Sequence, residues 1–259
     1  MALYGAWTRV LMELTASMFG LVAIACFLAV FIQRVSGFGY GIIVMMFYPL
    51  ALEFGEATAL SGMGALVTAC AIAYTMRRSL NVKKVLLPLI PYSLIGYLAI
   101  VFVKNAGSNL LMLMLGFALC AMSIYFAFFS GKIQIRPTAK NALISGSIGG
   151  VLSGLFSMGG PAMVVYFLSC SDSKDEYLAN IQFVFVLSNI ITAIGRMLNG
   201  FVTQRVLWLM IPACMAMVLA NFVGAKVYNR ISTEKLRKVI YGVVGLCGLL
   251  TIFRATVLA

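Results

Sequence analysis

The chain contains no histidine, and only seven of its 259 residues are acidic. The first absence removes the side chain that most often serves as metal ligand, general base or pH switch. Six cysteines occur singly (Cys26, Cys70, Cys120, Cys170, Cys214, Cys247), with no Cys-x-x-Cys pair among them. Zinc and haem sites are therefore excluded as readings, and the thiols are expected to be small buried packing residues. The sixteen methionines form no recurring Met-x-x-Met array, so they read as adaptable packing rather than a soft-metal path. No Gly-x-x-x-x-Gly-Lys stretch marks a nucleotide-driven pump. With no nucleophile, base or metal cluster in view, an enzyme is not expected, and neither is a cofactor.

Apolar sequence is abundant. Hydrophobic residues make up 63% of the chain and charged residues 10%, with a mean hydropathy of +1.04. No water-soluble domain of this length has that composition. Long apolar runs lie at 16–33, 57–76, 85–103, 109–129, 141–157, 177–200, 206–225 and 239–257, each near the length of a membrane-crossing helix. Two shorter runs, 37–52 and 160–170, suit half-helices. The short alternating segments of a β-barrel are missing. The fold class is thus an all-α integral membrane protein: eight long helices plus two short or broken segments, about ten crossings. Residues 1–14 lack the charged start and cleavage site of a removable signal peptide. The net charge of +12 sits in short loops between the runs, which points to the cytoplasmic face of a bilayer and away from nucleic acid.

Two Gly-rich breaks interrupt the pattern. One is Ser36-Gly-Phe-Gly-Tyr-Gly41, followed by Pro49; the other is Ser153-Gly-Leu-Phe-Ser-Met-Gly-Gly-Pro161. Glycines followed by proline are poor material for a helix interior. Unwound backbone at membrane depth is tolerated where protein buries it or where it lines a watery cavity. The two halves align: Ser36-Gly37 with Ser153-Gly154, Pro91 with Pro212, and Glu53–Glu56 with Asp172–Glu176. Arg77, Arg78, Lys83 and Lys84 precede Pro91, whereas the loop before Pro212 holds Arg205 alone. The following loops reverse that order, with Lys104 against Lys226, Arg230, Lys235, Arg237 and Lys238. Equivalent loops therefore face opposite sides, as an inverted repeat requires. The division is an N-terminal segment 1–14, a first membrane repeat 15–131, a basic cytoplasmic linker 132–140 and a second repeat 141–259, with both termini outside. Eight crossings in two parallel halves is the plainer alternative.

At the breaks the chain resembles the TauE/SafE family of membrane transporters. The matching residues are Gln33-Arg-Val-Ser-Gly-Phe-Gly39 with Pro49, and Gly149 to Pro161 running into Val164-Val-Tyr166. Phe38 and Tyr40 separate the first glycines and Pro161 follows the second set, a departure from the commoner Gly-x-Gly-Gly-Gly form. The resemblance implies a secondary transporter or exporter of sulfite, a sulfonate such as sulfoacetate or a taurine-derived one, or a related organic acid. It also implies a bacterial inner membrane.

All seven carboxylates (Glu13, Glu53, Glu56, Asp172, Asp175, Glu176, Glu234) fall at run ends or in loops, which argues against cation transport and a buried proton relay. What remains at depth suits an oxyanion: backbone N–H groups at the breaks, serine hydroxyls and an arginine fork. Candidate substrate-binding residues are Gln33, Arg34, Ser36, Gly37, Gly39, Gly41, Ser153, Ser157, Gly159, Gly160, Pro161, Asn180, Gln182, Asn189 and Arg196; no metal ligands are proposed. Plainer roles stand beside these. Gly154, Gly159 and Gly160 also suit close helix packing, Arg34 and Arg196 suit snorkelling to the interface, and Asn180, Gln182 and Asn189 suit interhelical hydrogen bonds. Tyr40, Tyr48 and Tyr166 read as interfacial-belt residues, with pocket walls as the alternative. The function that fits best is transport of a small anion by alternating access. An anion channel or a non-transporting scaffold are the alternatives, and the partners are the anion and the bilayer, with room for a homo-oligomer.

Overall fold

The computed structural model describes residues 16–36, 39–128, 135–227 and 233–257. The expected N-terminal segment 1–14, Gly37 and the first part of the basic linker lie outside these. Every described element is helical, and no strand occurs among the described residues. In chain order they are α1 (Ala16–Ser36), α2 (Tyr40–Phe47, extended by a 3-10 turn over Tyr48–Leu50), α3 (Phe54–Met76), α4 (Val82–Asn105) and α5 (Ser108–Phe128). Then follow α6 (Ala139–Phe156), α7 (Gly160–Cys170), α8 (Lys174–Leu198), α9 (Gln204–Val227) and α10 (Thr233–Val257). Six of them, α1, α3, α4, α5, α8 and α9, are long and apolar enough to cross a membrane.

Local sequence sets several of the ends. Thr138 caps α6 by accepting from the Asn141 N–H, and Ser173 caps α8 by accepting from Glu176 N–H. Glu176 reaches back to the Asp172 N–H at 2.8 Å, completing a Ser-x-x-Glu arrangement at the start of α8. Pro88 and Pro91 sit inside α4 and Pro212 inside α9. Each removes one backbone hydrogen bond, a loss that neighbouring helices in a bundle offset.

The bundle is inside-out relative to a soluble protein. Leu86, Ile90, Leu94 and Leu98 recur every four residues on α4 and are all exposed, and so are Leu207, Ile211, Met215 and Leu219 on α9. Apolar stripes of that extent on a surface are lipid-facing, so the chain is a multi-pass membrane protein.

Small residues bring the helices together. The main packed pairs are α4 with α6, α1 with α9, α3 with α8, and α5 with α10. A side chain at Gly154 would strike the Gly96 carbonyl, and one at Gly146 would strike the Pro88 carbonyl, so α4 and α6 touch backbone to backbone. Gly154 therefore has the packing role. Gly248 meets Cys120 and the Gly116 carbonyl in the same manner between α5 and α10. The short helix α2 is enclosed, with Tyr40 to Met46 buried throughout, whereas α7 buries one face and exposes Leu168.

This burial overturns the belt reading of the tyrosines. Tyr40, Tyr48 and Tyr166 are all buried, because they lie on the inward-facing sides of the short segments. The hydroxyls of Tyr48 and Tyr40 lie 2.8 Å and 3.4 Å from Cys26 Sγ. Among the cysteines, Cys26 and Cys170 are buried as expected, whereas Cys70 is exposed.

Candidate functional site

The two breaks meet. Gly39 takes the left-handed conformation (φ 106°) that starts α2, a geometry open to glycine at no steric cost. On the other side, α6 ends at Ser157, which is itself left-handed (φ 58°), unlike any other described residue with a side chain. A side chain at Gly41 would run into the Ser157 carbonyl, so the two unwound stretches touch directly through backbone. Strained backbone of this kind gathers at functional sites.

Between them lies a cavity of about 40 Å³. From the first break it is lined by Gln33, Gly39 and Gly41, and from the second by Ser153, Ser157, Gly159, Gly160 and Pro161. Asn189 of α8 completes the predicted contributors. The remaining wall is Tyr40, Ile42, Ala65, Tyr92, Met158 and Phe185, so no carboxylate borders it among the described residues. The N-termini of α2 and α7 both open onto this space. Their first N–H groups lack intrahelical acceptors, and Pro161 at the first turn of α7 has none to satisfy.

Other predicted residues fall elsewhere. Arg34 and Ser36 belong to the last turn of α1, but their side chains, like Gly37, lie outside the described residues. Asn180 has the interhelical role: its Oδ1 accepts from the Asn81 N–H at 2.8 Å. Gln182 has no such partner. It is 0% exposed, and neither its Oε1 nor its Nε2 is hydrogen-bonded. Arg196 does not snorkel: it is 1% exposed, and its Nη2 donates to the Ser153 carbonyl at 2.9 Å. The helix continues only two residues beyond it, yet the side chain turns inward onto the second break. Ser157, expected as an anion donor, gives its hydroxyl hydrogen to the Thr58 carbonyl at 2.9 Å. It ties the second break to α3.

Two carboxylates expected at run ends are at helix ends but buried, Glu56 at 8% and Glu176 at 9% exposure. Each sits in the first turn of its helix, where the N-terminal dipole favours a negative charge. Glu56 accepts from Thr203 Oγ1 at 2.6 Å and faces Arg205 at 3.7 Å. Glu176 pairs with Lys84 at 2.9 Å, and Lys84 also reaches Asp172 at 2.9 Å. Both clusters join one half of the chain to the other. They stand at opposite ends of the α3–α8 pair, which runs antiparallel: Gly62 near the start of α3 meets Arg196 near the end of α8. Among the described residues no three of Cys, Asp and Glu gather where they could hold a metal ion.

Sequence reasoning missed three contributors. Tyr92 follows the aligned Pro91, is fully enclosed, and has Ser153 and Ser188 as hydroxyl partners. The proline alignment was the signal available for it. Gly62 and Ala65 are small apolar residues within a long apolar run, and nothing in their type distinguishes them from packing residues.

Comparison with known proteins adds two matches. A family model described as sulfite exporter TauE/SafE matches residues 22–251. A protein of Cupriavidus necator described as a probable sulfite/organosulfonate exporter TauE is 24% identical over 219 residues, covering 82% of this chain and 85% of that protein. No solved structure matches the chain.

Proposed function

We propose a function for a chain that belongs to the sulfite exporter TauE/SafE family: it is a secondary transporter that moves a small oxyanion across the membrane by alternating access. The observation that carries this reading is the meeting of two helix breaks at a partly open cavity with no carboxylate in its wall among the described residues. Free N–H groups from the α2 and α7 N-termini would hold the oxygens of the anion, with Ser153 and the amides of Gln33 and Asn189 completing the shell. A cavity of about 40 Å³ has room for roughly three water-sized groups. That favours sulfite or the head of a sulfonate over a bulky organic acid, and it accords with the description of the Cupriavidus protein.

Inverted repeats 15–131 and 141–259 are part of the proposal. Matching α1–α5 to α6–α10 in order turns the α4–α6 contact into α9–α1 and leaves α3–α8 and α5–α10 unchanged; all four are packed pairs. The same match takes the lipid-facing Leu86, Ile90, Leu94 and Leu98 onto Leu207, Ile211, Met215 and Leu219. It also takes Glu176–Lys84 onto Glu56–Arg205. These related contacts support a pseudo-two-fold axis in the membrane plane, with the anion near it. The two ion-pair clusters then act as latches, each closing one face of the protein while the other opens. The membrane proposed is the bacterial inner membrane, with the Lys84 end cytoplasmic under the positive-inside rule.

The test is uptake of labelled sulfite and ethanesulfonate into proteoliposomes, with a panel of small anions as competitors. Saturable flux with counterflow supports a carrier. Unsaturable flux would assign a channel, and a folded protein that moves none of these anions would refute the proposal.

A further inference from the structure

Gln182, Asn189 and Arg196 are spaced seven residues apart on α8, close to two helical turns each. They therefore share one face and span about 21 Å along the axis. Asn189, at the middle, lines the cavity, and Ala65 of α3 lines it from across the interface. Arg196 lies beyond the wall of the cavity, towards the Glu56 end. Its Nη1 meets the space where a side chain at Gly62 would be, and the same space lies 3.6 Å from Ser157 Oγ. Its Nε and Nη1 have no hydrogen-bond partner, and no carboxylate pairs with it among the described residues.

A buried guanidinium with two unused donor atoms and no counter-charge is destabilising as it stands. One neutral carbonyl, that of Ser153, is the acceptor it has. The side chain has long, flexible stems available for snorkelling, yet it is folded inward onto the break. The lowest-energy remedy is an anion that supplies the missing charge and accepts from Nη1.

We infer that Arg196, with Gly62 opposite and Ser157 beside it, forms a second anion station on the Glu56 side of the cavity. The transported oxyanion is its counter-ion, passing along the α8 face between this station and the central one. The inference rests on the anion-transport reading for its ligand class, but its test is equilibrium binding and needs no flux. Gly62 is the keyhole of the station. Any larger residue there would fill the space into which Nη1 projects. Ser153 joins the two stations, since it lines the cavity while its carbonyl holds the guanidinium.

The experiment is thermal unfolding of detergent-purified protein titrated with sodium sulfite or sodium ethanesulfonate, with sodium gluconate as the ionic-strength control. Wild-type protein should rise by about 5–10 °C at a hundredfold excess over the dissociation constant. Arg196→Gln should lose the station's share of that rise and keep only the central cavity's share, while its melting temperature without anion is equal to or above that of wild type, because a buried unpaired charge has been removed. Arg196→Lys should keep part of the rise, since it keeps the charge without the fork. Gly62→Ala covers the case in which the arginine variants fail to fold. Its methyl group displaces Nη1 and should raise the half-saturating sulfite concentration at least tenfold. A sulfite-dependent rise of wild-type size in Arg196→Gln, or unchanged half-saturation in Gly62→Ala, would overturn the station. So would a wild-type protein that carries sulfite in liposomes yet shows no rise, and that outcome leaves the transporter reading intact. A rise diminished by Arg196→Gln in a protein without flux would keep the station and sink the transporter.

Discussion

Replacing Gly41 by alanine tests whether the contact between the two breaks holds the anion site. The new methyl carbon would overlap the Ser157 carbonyl oxygen and come 2.9 Å from its carbon. Both are backbone atoms, so relief requires one break to move away from the other. Restoring an ordinary carbon–oxygen contact of about 3.3 Å takes a displacement on the order of 1 Å. The cavity between the breaks has room for roughly three water-sized groups. A shift of about 1 Å is a sizeable fraction of the ~2.8 Å diameter of one such group. Overpacking of this kind costs about 1–3 kcal/mol in stability. Misplacing even one charge-assisted hydrogen bond, at about 1.5–3 kcal/mol, weakens anion binding about 10–100-fold. The control is Gly20→Ala on α1, where the added methyl meets nothing within 4 Å. It should stabilise the protein by up to about 1 kcal/mol through helix propensity and leave flux unchanged. The assay is sulfite uptake in proteoliposomes at matched protein density, alongside thermal melts of both variants. Gly41→Ala transporting sulfite with wild-type half-saturation, while properly folded, would refute the reasoning.

Three further outcomes are expected. Ser157→Gly relieves left-handed strain and Ser157→Ala does not, while both lose the bond to Thr58; thermal melts should therefore rank the glycine variant above the alanine variant by about 0.5–1 kcal/mol. Gln182→Met removes two unpaired buried polar atoms and should stabilise the protein by about 1–3 kcal/mol; a lower melting temperature would mean that the amide has partners in the membrane. Glu176→Gln and Glu56→Gln each weaken one latch. In a background lacking the native cysteines, labelling of Ser153→Cys by an impermeant maleimide should increase from the cytoplasmic side for the first and from the opposite side for the second. An increase from the same side in both would contradict the paired-latch proposal.

The positions and helical character of the segments were set locally. Twenty-residue apolar runs have one stable form in a bilayer, because every backbone polar group must be satisfied within the segment. The Gly- and Pro-rich stretches at 36–41 and 153–161 likewise announced where that rule is relaxed, and most of the cavity wall comes from them. Pairing between distant helices was not legible. In lipid, apolar type does not say which face meets protein, so Gly154 as packing, Gly62 as the space before Arg196, and the burial of Tyr40 and Tyr48 waited on the three-dimensional arrangement. Charge behaved in the same way. Glu56, Glu176 and Arg196 occupy sequence positions compatible with the membrane surface, and each is buried because a partner or a void from the other half of the chain receives it. Sequence determined the helices and their breaks through backbone hydrogen-bonding demands. Tertiary structure decided which of the described polar groups are paired within the bundle and which are left without a hydrogen-bond partner, because that depends on distances across helices that no local pattern encodes.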